Sequence, residues 1–363
     1  MQTPWTTPST VRIADDPRRV GGALQPAGGS TDVVLLGASA DWADQVRRAL
    51  FELYWDFGAL RVGDLGNLRR QRRDFVLSPL RDLVQAGVVP IIIGDHQTAV
   101  RQAQYLAAAE RSRYLQLLSV DQVAAVSPTA TEELPAVYDR AVHRSEAPQY
   151  YLTHIGSQRH LVDPRLRDLF SDRQFELTGL GEARSDLGAL EPAIRDADVV
   201  QLDIGSVLHA EAPAQVGRQP SGFTLQEASQ LCYYAGNSDR LPSFGVYGAE
   251  MNEAATQNST LALEVTAAAY AQLIWYFLHG LSQRVGDYPV TTTGMREYVV
   301  DARLPEAITF WRSDRSGRWW VQVPTDQPDD DRHRLIACSY ADYLHSSQEG
   351  RLSDRIVRAF RRY

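Results

Sequence analysis

From Asp32 onward the chain alternates short apolar runs with longer amphipathic stretches. "DVVLLGAS" (32–39) reads as a strand, and "DWADQVRRALFELYW" (41–55), with apolar residues at helical spacing, as the helix after it. The alternation continues with the helix "SPLRDLVQAG" (78–87), the strand "VVPIIIGDH" (88–96), the helix "QTAVRQAQYLAAAERS" (97–112) and the strand "RYLQLLSVD" (113–121). Further along come the strand "QYYLTHIGSQ" (149–158), the helix "PRLRDLFSD" (164–172) and a short strand in "QFELTGLGEA" (174–183). The helix "LEPAIRDA" (190–197), the strand "DVVQLDIGS" (198–206) and the helix "TLQEASQLCYYAGNS" (224–238) follow. "LPSFGVYGAEMN" (241–252) and "TLALEVTAAAYAQLIWYFLHGL" (260–281) close the series.

Continuous apolar runs alternating with helices predict a mainly parallel sheet covered on both faces, a three-layer α/β/α domain over 31–290. The Pro-, Thr- and Gly-rich stretch 1–30 lacks periodicity and is expected as an arm over the surface. A C-terminal extension, 291–363, contains "AITFWRSDRSGRWWVQVP" (307–324), which reads as a hairpin about a Ser-Gly turn, and ends in the basic amphipathic helix "SDRIVRAFRRY" (353–363).

In such sheets ligands gather beyond the carboxyl ends of the strands. There the sequence puts Gly37–Ser39, Asp95 with His96, Asp121, Gly156 with Ser157, Asp203 with Ser206, and Glu250 with Asn252. Carboxylates and one histidine thus converge from separate strands, an oxygen-rich set suited to manganese or magnesium rather than zinc.

Composition narrows the chemistry. All 37 basic residues are arginine, which removes lysine Schiff bases, lysine general bases and the P-loop. The net charge of -8 argues against nucleic-acid binding, and two cysteines, Cys232 and Cys338, are too few for a disulfide framework. The N-terminal residues carry no basic-then-apolar signal pattern, and no apolar stretch is expected to reach membrane-spanning length, so a cytoplasmic protein without membrane insertion is expected.

The order "GDH", an Asp-bearing strand end, "LDIG" and "AEMN" resembles the ureohydrolases, the arginase, agmatinase and formimidoylglutamase family. "GALRVGDLGNL" (58–68) looks like the family's early Asp-Leu-Gly segment, and "PSGFTLQEA" (220–228) like the stretch after its second aspartate motif. "THIGSQRH", "YYAGNSD" and "AQLIWYFLHG" look most like a divergent formimidoylglutamase-like branch of Bacteroidetes-type bacteria. The resemblance implies an arginase-type fold, homo-oligomers, and hydrolysis of an amidine or guanidine C–N bond by two manganese ions bridged by hydroxide. It also implies six ligands: the His of Gly-Gly-Asp-His, three from Asp-Ala-His-x-Asp, and two from Asp-x-Asp.

The carry-over is partial. His96 matches the first histidine, Asp121 is the one residue of "LSVDQVAAV" able to serve, and Asp203 matches the first aspartate of the last motif. Gly205 stands in place of the second aspartate, and Val123 occupies a ligand position whichever place Asp121 takes. Glu250 matches the glutamate thought to contact substrate or relay protons. Three ligands could hold at most one residual manganese, with waters completing the shell. A buried Asp203 must be paired, hydrogen-bonded, metal-bound or protonated, and arginine pairing is a realistic alternative to metal. His154 and His160 could line the pocket or sit in a solvated loop. Cys232 reads as a core residue, and Ser39 and Ser206 lack a base–orienter pair.

Two functions follow. The first is a degenerate ureohydrolase, acting by binding, scaffolding or regulation, with a partner contact at Trp311, Trp319 and Trp320; packing of that hairpin on the main domain is the favoured reading of the tryptophans. The second is an active hydrolase of a linear amidine, in which Glu250 manages protons.

Overall fold

In the computed structural model, residues 4–12, 16–26, 30–109, 114–130, 136–144, 149–251, 260–289, 291–301, 307–323 and 335–362 are described. The apolar runs assemble into a nine-stranded sheet of β1 (Thr6–Thr7), β2 (Val33–Gly37), β3 (Val62–Leu68), β4 (Val89–Ile93), β5 (Tyr114–Val120), β6 (Gln149–Ser157), β7 (Glu176–Gly179), β8 (Val199–Asp203) and β9 (Phe244–Tyr247). Its order is β1-β3-β2-β4-β9-β8-β5-β6-β7, parallel throughout except for β1 on β3. β2 and β4 are buried along their whole length, as expected of β-branched and leucine-rich runs with helices on both faces.

The helices are α1 (Val20–Ala23), α2 (Ala40–Phe51), α3 (Arg73–Gln85), α4 (Thr98–Ala108), α5 (Asp139–His143), α6 (Pro164–Asp172), α7 (Leu180–Ser185), α8 (Glu191–Arg195), α9 (Leu225–Gly236) and α10 (Thr260–Ser282). α9 begins in a capping box in which Thr224 and Glu227 satisfy each other's backbone N–H groups. α10 corrects one expectation: its 23 residues, with a window of mean hydropathy 1.4, are long and apolar enough to cross a membrane. Here its apolar side packs on α2 and α9 and joins the largest core through Tyr270, Leu273, Ile274 and Phe277.

The described parts of the stretch expected as a surface arm are built into the domain. β1 extends the sheet, Val20 is fully buried, and Ser9 and Thr10 bind the Asp44 carboxylate. β1 can approach β3 because Gly66, at φ +78°, has no Cβ; one added there would lie 2.1 Å from the Thr7 carbonyl oxygen.

The C-terminal extension has a core of its own. β10 (Met295–Val300), β11 (Ile308–Ser313), β12 (Trp319–Gln322) and β13 (Leu335–Cys338) form an antiparallel sheet, followed by α11 (Tyr340–Glu349) and α12 (Asp354–Arg362). The expected hairpin is β11–β12, with Trp311 opposite Trp320. Adjacent tryptophans point to opposite faces. Trp319 stacks on Tyr343 at 4.7 Å between ring centroids, and Trp320 lies under the Arg195 guanidinium at 4.5 Å. Arg195, from α8, also donates to the carbonyls of Trp319 and Cys338, which ties the extension to the main domain.

Candidate functional site

The carboxyl ends of β4, β5, β8 and β9 meet at one edge and bring there the residues singled out from the sequence. Asp203 ends β8, and its Oδ1 accepts the Gly205 N–H at 2.9 Å. The carboxylate fills the space beside Gly248: a Cβ at that position, whose φ is +92°, would stand 2.0 Å from Asp203 Oδ1. Asp121 follows β5 directly, donates its N–H to the Ile155 carbonyl and accepts a long contact, 3.4 Å, from the Val123 N–H. Burial, with Asp203 adding to it, pushes the Asp121 carboxyl well above the usual carboxylate range, against the pull of Arg101.

The residue between these two aspartates is Arg101, from the first turns of α4. Its Nη1 donates to Asp203 Oδ2 at 2.8 Å, and its Nη2 lies 3.9 Å from Asp121 Oδ2. The side chain is 5 % exposed, so the pair with Asp203 is screened little by water. Burial works against the guanidinium charge, and Tyr138, Asp203 and Asp121 outweigh it, so its pKa is raised. A polar layer holds it: Gln201 Nε2 donates to the Arg101 carbonyl and to Gln104 Oε1, Tyr138 donates to Gln201 Oε1, and Tyr247 donates to Gln104 Oε1. The Tyr247 ring lies 5.3 Å from the guanidinium carbon. Arg101 was not singled out from the sequence. The available signal was polar Arg101 and Gln104, three apart on a helix stripe otherwise made of Val100, Ala103 and Ala107.

His96 and Glu250 face each other at this edge, with His96 the more exposed of the two. The His96 side chain is 44 % exposed, and its Nδ1 is 3.9 Å from Glu250 Oε2. Asp95, beside it, turns inward and accepts from the Gln97 N–H and from Gln71 Nε2. At the other end of the cleft, Gln122 takes up the room around two glycines. A Cβ on Gly205 would lie 3.0 Å from Gln122 Nε2, and one on Gly217 only 1.8 Å from it. Val123 is exposed. Among the described residues no three His, Cys, Asp or Glu side chains are grouped to hold a metal ion. Asn252 lies outside the described residues.

His154 is not in a solvated loop: it sits inside β6, fully buried, opposite Ser119 of β5. Neither ring nitrogen makes a well-aligned hydrogen bond among the described residues, and burial lowers its pKa to about 4 despite the nearby Asp121 backbone. His160 is exposed. Ser206 Oγ donates to the Asp203 carbonyl, a structural role, and Cys232 is buried, its thiol pKa raised by that burial. Trp319 and Trp320 are buried within the extension and its junction, whereas Trp311 is half-buried and donates to Gln322 Oε1.

Solved structures supply the comparison. The formiminoglutamase of Trypanosoma cruzi with Mn2+ superposes with a TM-score of 0.63 at 15 % identity, over 73 % of this chain and 99 % of that one. The formimidoylglutamase of Bacillus subtilis matches at a TM-score of 0.61 and 13 % identity, over 72 % of this chain and 90 % of that one. The agmatine ureohydrolase of Thermoplasma volcanium matches at 0.56 and 16 %, over 73 % and 94 %. The chain shares the fold of these structures, an arginase-like fold. No family model and no curated protein matches the sequence, so the ureohydrolase likeness rests on architecture and on the ordered motifs together. The likeness singles out no branch within the fold.

The ureohydrolase fold implies a two-metal centre, and the residues here do not fit one. Of the six implied ligand positions, one carries Gly205 and another Val123, His96 is exposed, and Asp121 and Asp203 face a guanidinium. The donor set that remains is already neutralised from within the chain.

Proposed function

We propose that this protein uses the ureohydrolase fold for binding rather than for hydrolysis, as a scaffold or regulatory protein whose metal centre has been dismantled. The observation that carries this reading is the Arg101 guanidinium lodged between Asp121 and Asp203. Hydrolysis of an amidine or guanidine C–N bond at neutral pH needs a metal-activated hydroxide or an equivalent general base. The His96–Glu250 pair is a weak substitute, since its Nδ1 and Oε2 stand 3.9 Å apart, beyond a hydrogen bond, and the His96 side chain is 44 % exposed. A single manganese on His96, Asp121 and Asp203 is the most this cleft would take, and only with Arg101 displaced. The reading carries with it a homo-oligomeric, cytoplasmic protein whose partner contacts involve the C-terminal extension, where Trp311 keeps part of its ring exposed.

Metal analysis of the purified chain together with ammonia and urea release from formimidoylglutamate, agmatine and arginine tests the proposal. Less than one manganese per chain and no release are expected. Two manganese per chain with turnover would establish the alternative, an active hydrolase of a linear amidine.

A further inference from the structure

We infer that Arg101 is the resident cation of this cleft, an intramolecular replacement for a divalent metal that holds the ends of β5 and β8 together. The inference rests on the reading of the cleft as metal-free and extends it to a particular residue. Two carboxylates arriving from separate strands, both at least 85 % buried at the side chain, need a positive charge to remain ionised there. The only cation within 4.0 Å of both, among the described residues, is this guanidinium. Arginine suits the place better than lysine would, being planar, weakly hydrated and able to direct separate N–H groups at two acceptors.

The surrounding residues are arranged for that insertion. Gln201, on β8 two residues before Asp203, holds the Arg101 backbone carbonyl at 2.8 Å and also faces its Nε at 3.5 Å. α4 is thereby pinned to the strand whose carboxylate its guanidinium reaches. Where the second aspartate of the implied motif would stand, Gly205 leaves room that the Gln122 side chain occupies, so the neighbouring half of the cleft is closed by a neutral amide. Gln122 Oε1 is buried there without a hydrogen bond among the described residues.

Removing the guanidinium would leave two carboxylates facing each other, hard oxygen donors that favour a divalent cation. Thermal unfolding of the full chain in EDTA and in about 1 mM MnCl2, a concentration far above a micromolar Kd, gives the test, with free Mn2+ followed by its EPR signal. The wild type is expected to unfold at the same temperature in both solutions. Arg101→Ala should lose about 5 °C in EDTA, the scale of a broken buried ion pair in a chain of this size. It should regain part of that loss with Mn2+ and deplete the free Mn2+ signal, and adding Asp203→Asn should abolish both responses. If Arg101→Ala does not fold, the charge-free variant Arg101→Met with Asp121→Asn and Asp203→Asn is expected to fold and to ignore Mn2+, because charge and countercharge are removed together. A folded Arg101→Ala that takes up no Mn2+ would overturn the role assigned to Arg101 while leaving the non-hydrolytic reading intact, and so would failure of both variants to fold. Saturable Mn2+ binding by the wild type would overturn the inference; joined to ammonia or urea release, it would remove the non-hydrolytic reading too.

Discussion

Two arginines are buried at the carboxyl edge of the same sheet, and they are partnered very differently. Arg47, on α2, is fully buried and makes a bidentate pair with Asp64, with both bonds at 2.8 Å. It also donates to Asn67 Oδ1 at 2.6 Å, to the Gly66 carbonyl at 2.7 Å and to Asp44 at 3.2 Å. Asp44 in turn collects bonds from Ser9, Thr10 and Asn67. Arg101 makes one short ion pair, to Asp203, and its Nη2 is left without a well-aligned hydrogen bond among the described residues. The contrast teaches that burial of the charge is common to both sites but completeness is not. Around Arg47 each partner faces the guanidinium with its own geometry satisfied. Around Arg101 the two carboxylates end separate strands, and the guanidinium reaches one at 2.8 Å and the other only at 3.9 Å.

The largest effect expected from this difference is at Arg47. Arg47→Met should cost about 4 kcal/mol or more, because it strands the Asp64 and Asp44 carboxylates in the interior. Chemical denaturation checks it, and a cost equal to that of Arg101→Met would erase the distinction. Next comes Asp203→Asn, which removes the close partner of Arg101 and should cost about 3 kcal/mol.

His154 sharpens the comparison through pH. Its folded pKa, about 4, lies below the unfolded value of 6.5, so the unfolded chain binds more protons between them. Stability attributable to this neutral histidine is therefore complete above pH 6.5 and is lost as pH falls from 6.5 toward 4. His154→Leu should relieve about 2 kcal/mol of that loss at pH 5 relative to pH 7.5, read as a flatter stability–pH curve. Asp44 behaves in the same sense at lower pH. Burial would raise its pKa, but the bonds from Thr10, Asn67 and Ser9 outweigh that and lower it to about 2, so its contribution disappears as pH drops from 3.8 through 2. The smallest effect belongs to Asp121→Asn. With its arginine contact at 3.9 Å, against 2.8 Å for Asp203, the amide should change stability at neutral pH by less than about 1 kcal/mol. A cost matching that of Asp203→Asn would mean the two carboxylates share Arg101 equally.

The positions of His96, Asp121, Asp203 and Glu250 along one edge were legible, since each ends an apolar run and parallel strands present those ends together. The motif around Asp64 was legible only as a resemblance. In the structure Val62–Leu68 is a strand whose Asp64, Gly66 and Asn67 serve Arg47, a packing role that spacing does not reveal. The Ser-Gly turn announced the hairpin that carries Trp319 and Trp320, whose rings take opposite faces because they are adjacent on a strand. That both faces are covered, by Tyr343 on one side and Arg195 on the other, depends on elements far away in the chain. His154 was weighed as a loop residue although the strand read over 149–158 contains it; in the structure β6 runs through to Ser157 and buries it.

By itself, then, the sequence determined the alternating α/β order and the absence of a ligand side chain at Gly205 and Val123, where the resemblance implies ligands, because both depend on side-chain identity and local periodicity. Which group now faces Asp121 and Asp203 was decided only by the tertiary structure. Arg101 reaches them because α4 lies on β8 in the rotation that Gln104 and Gln201 lock by hydrogen bonding, and no local pattern encodes how a helix is turned on its sheet.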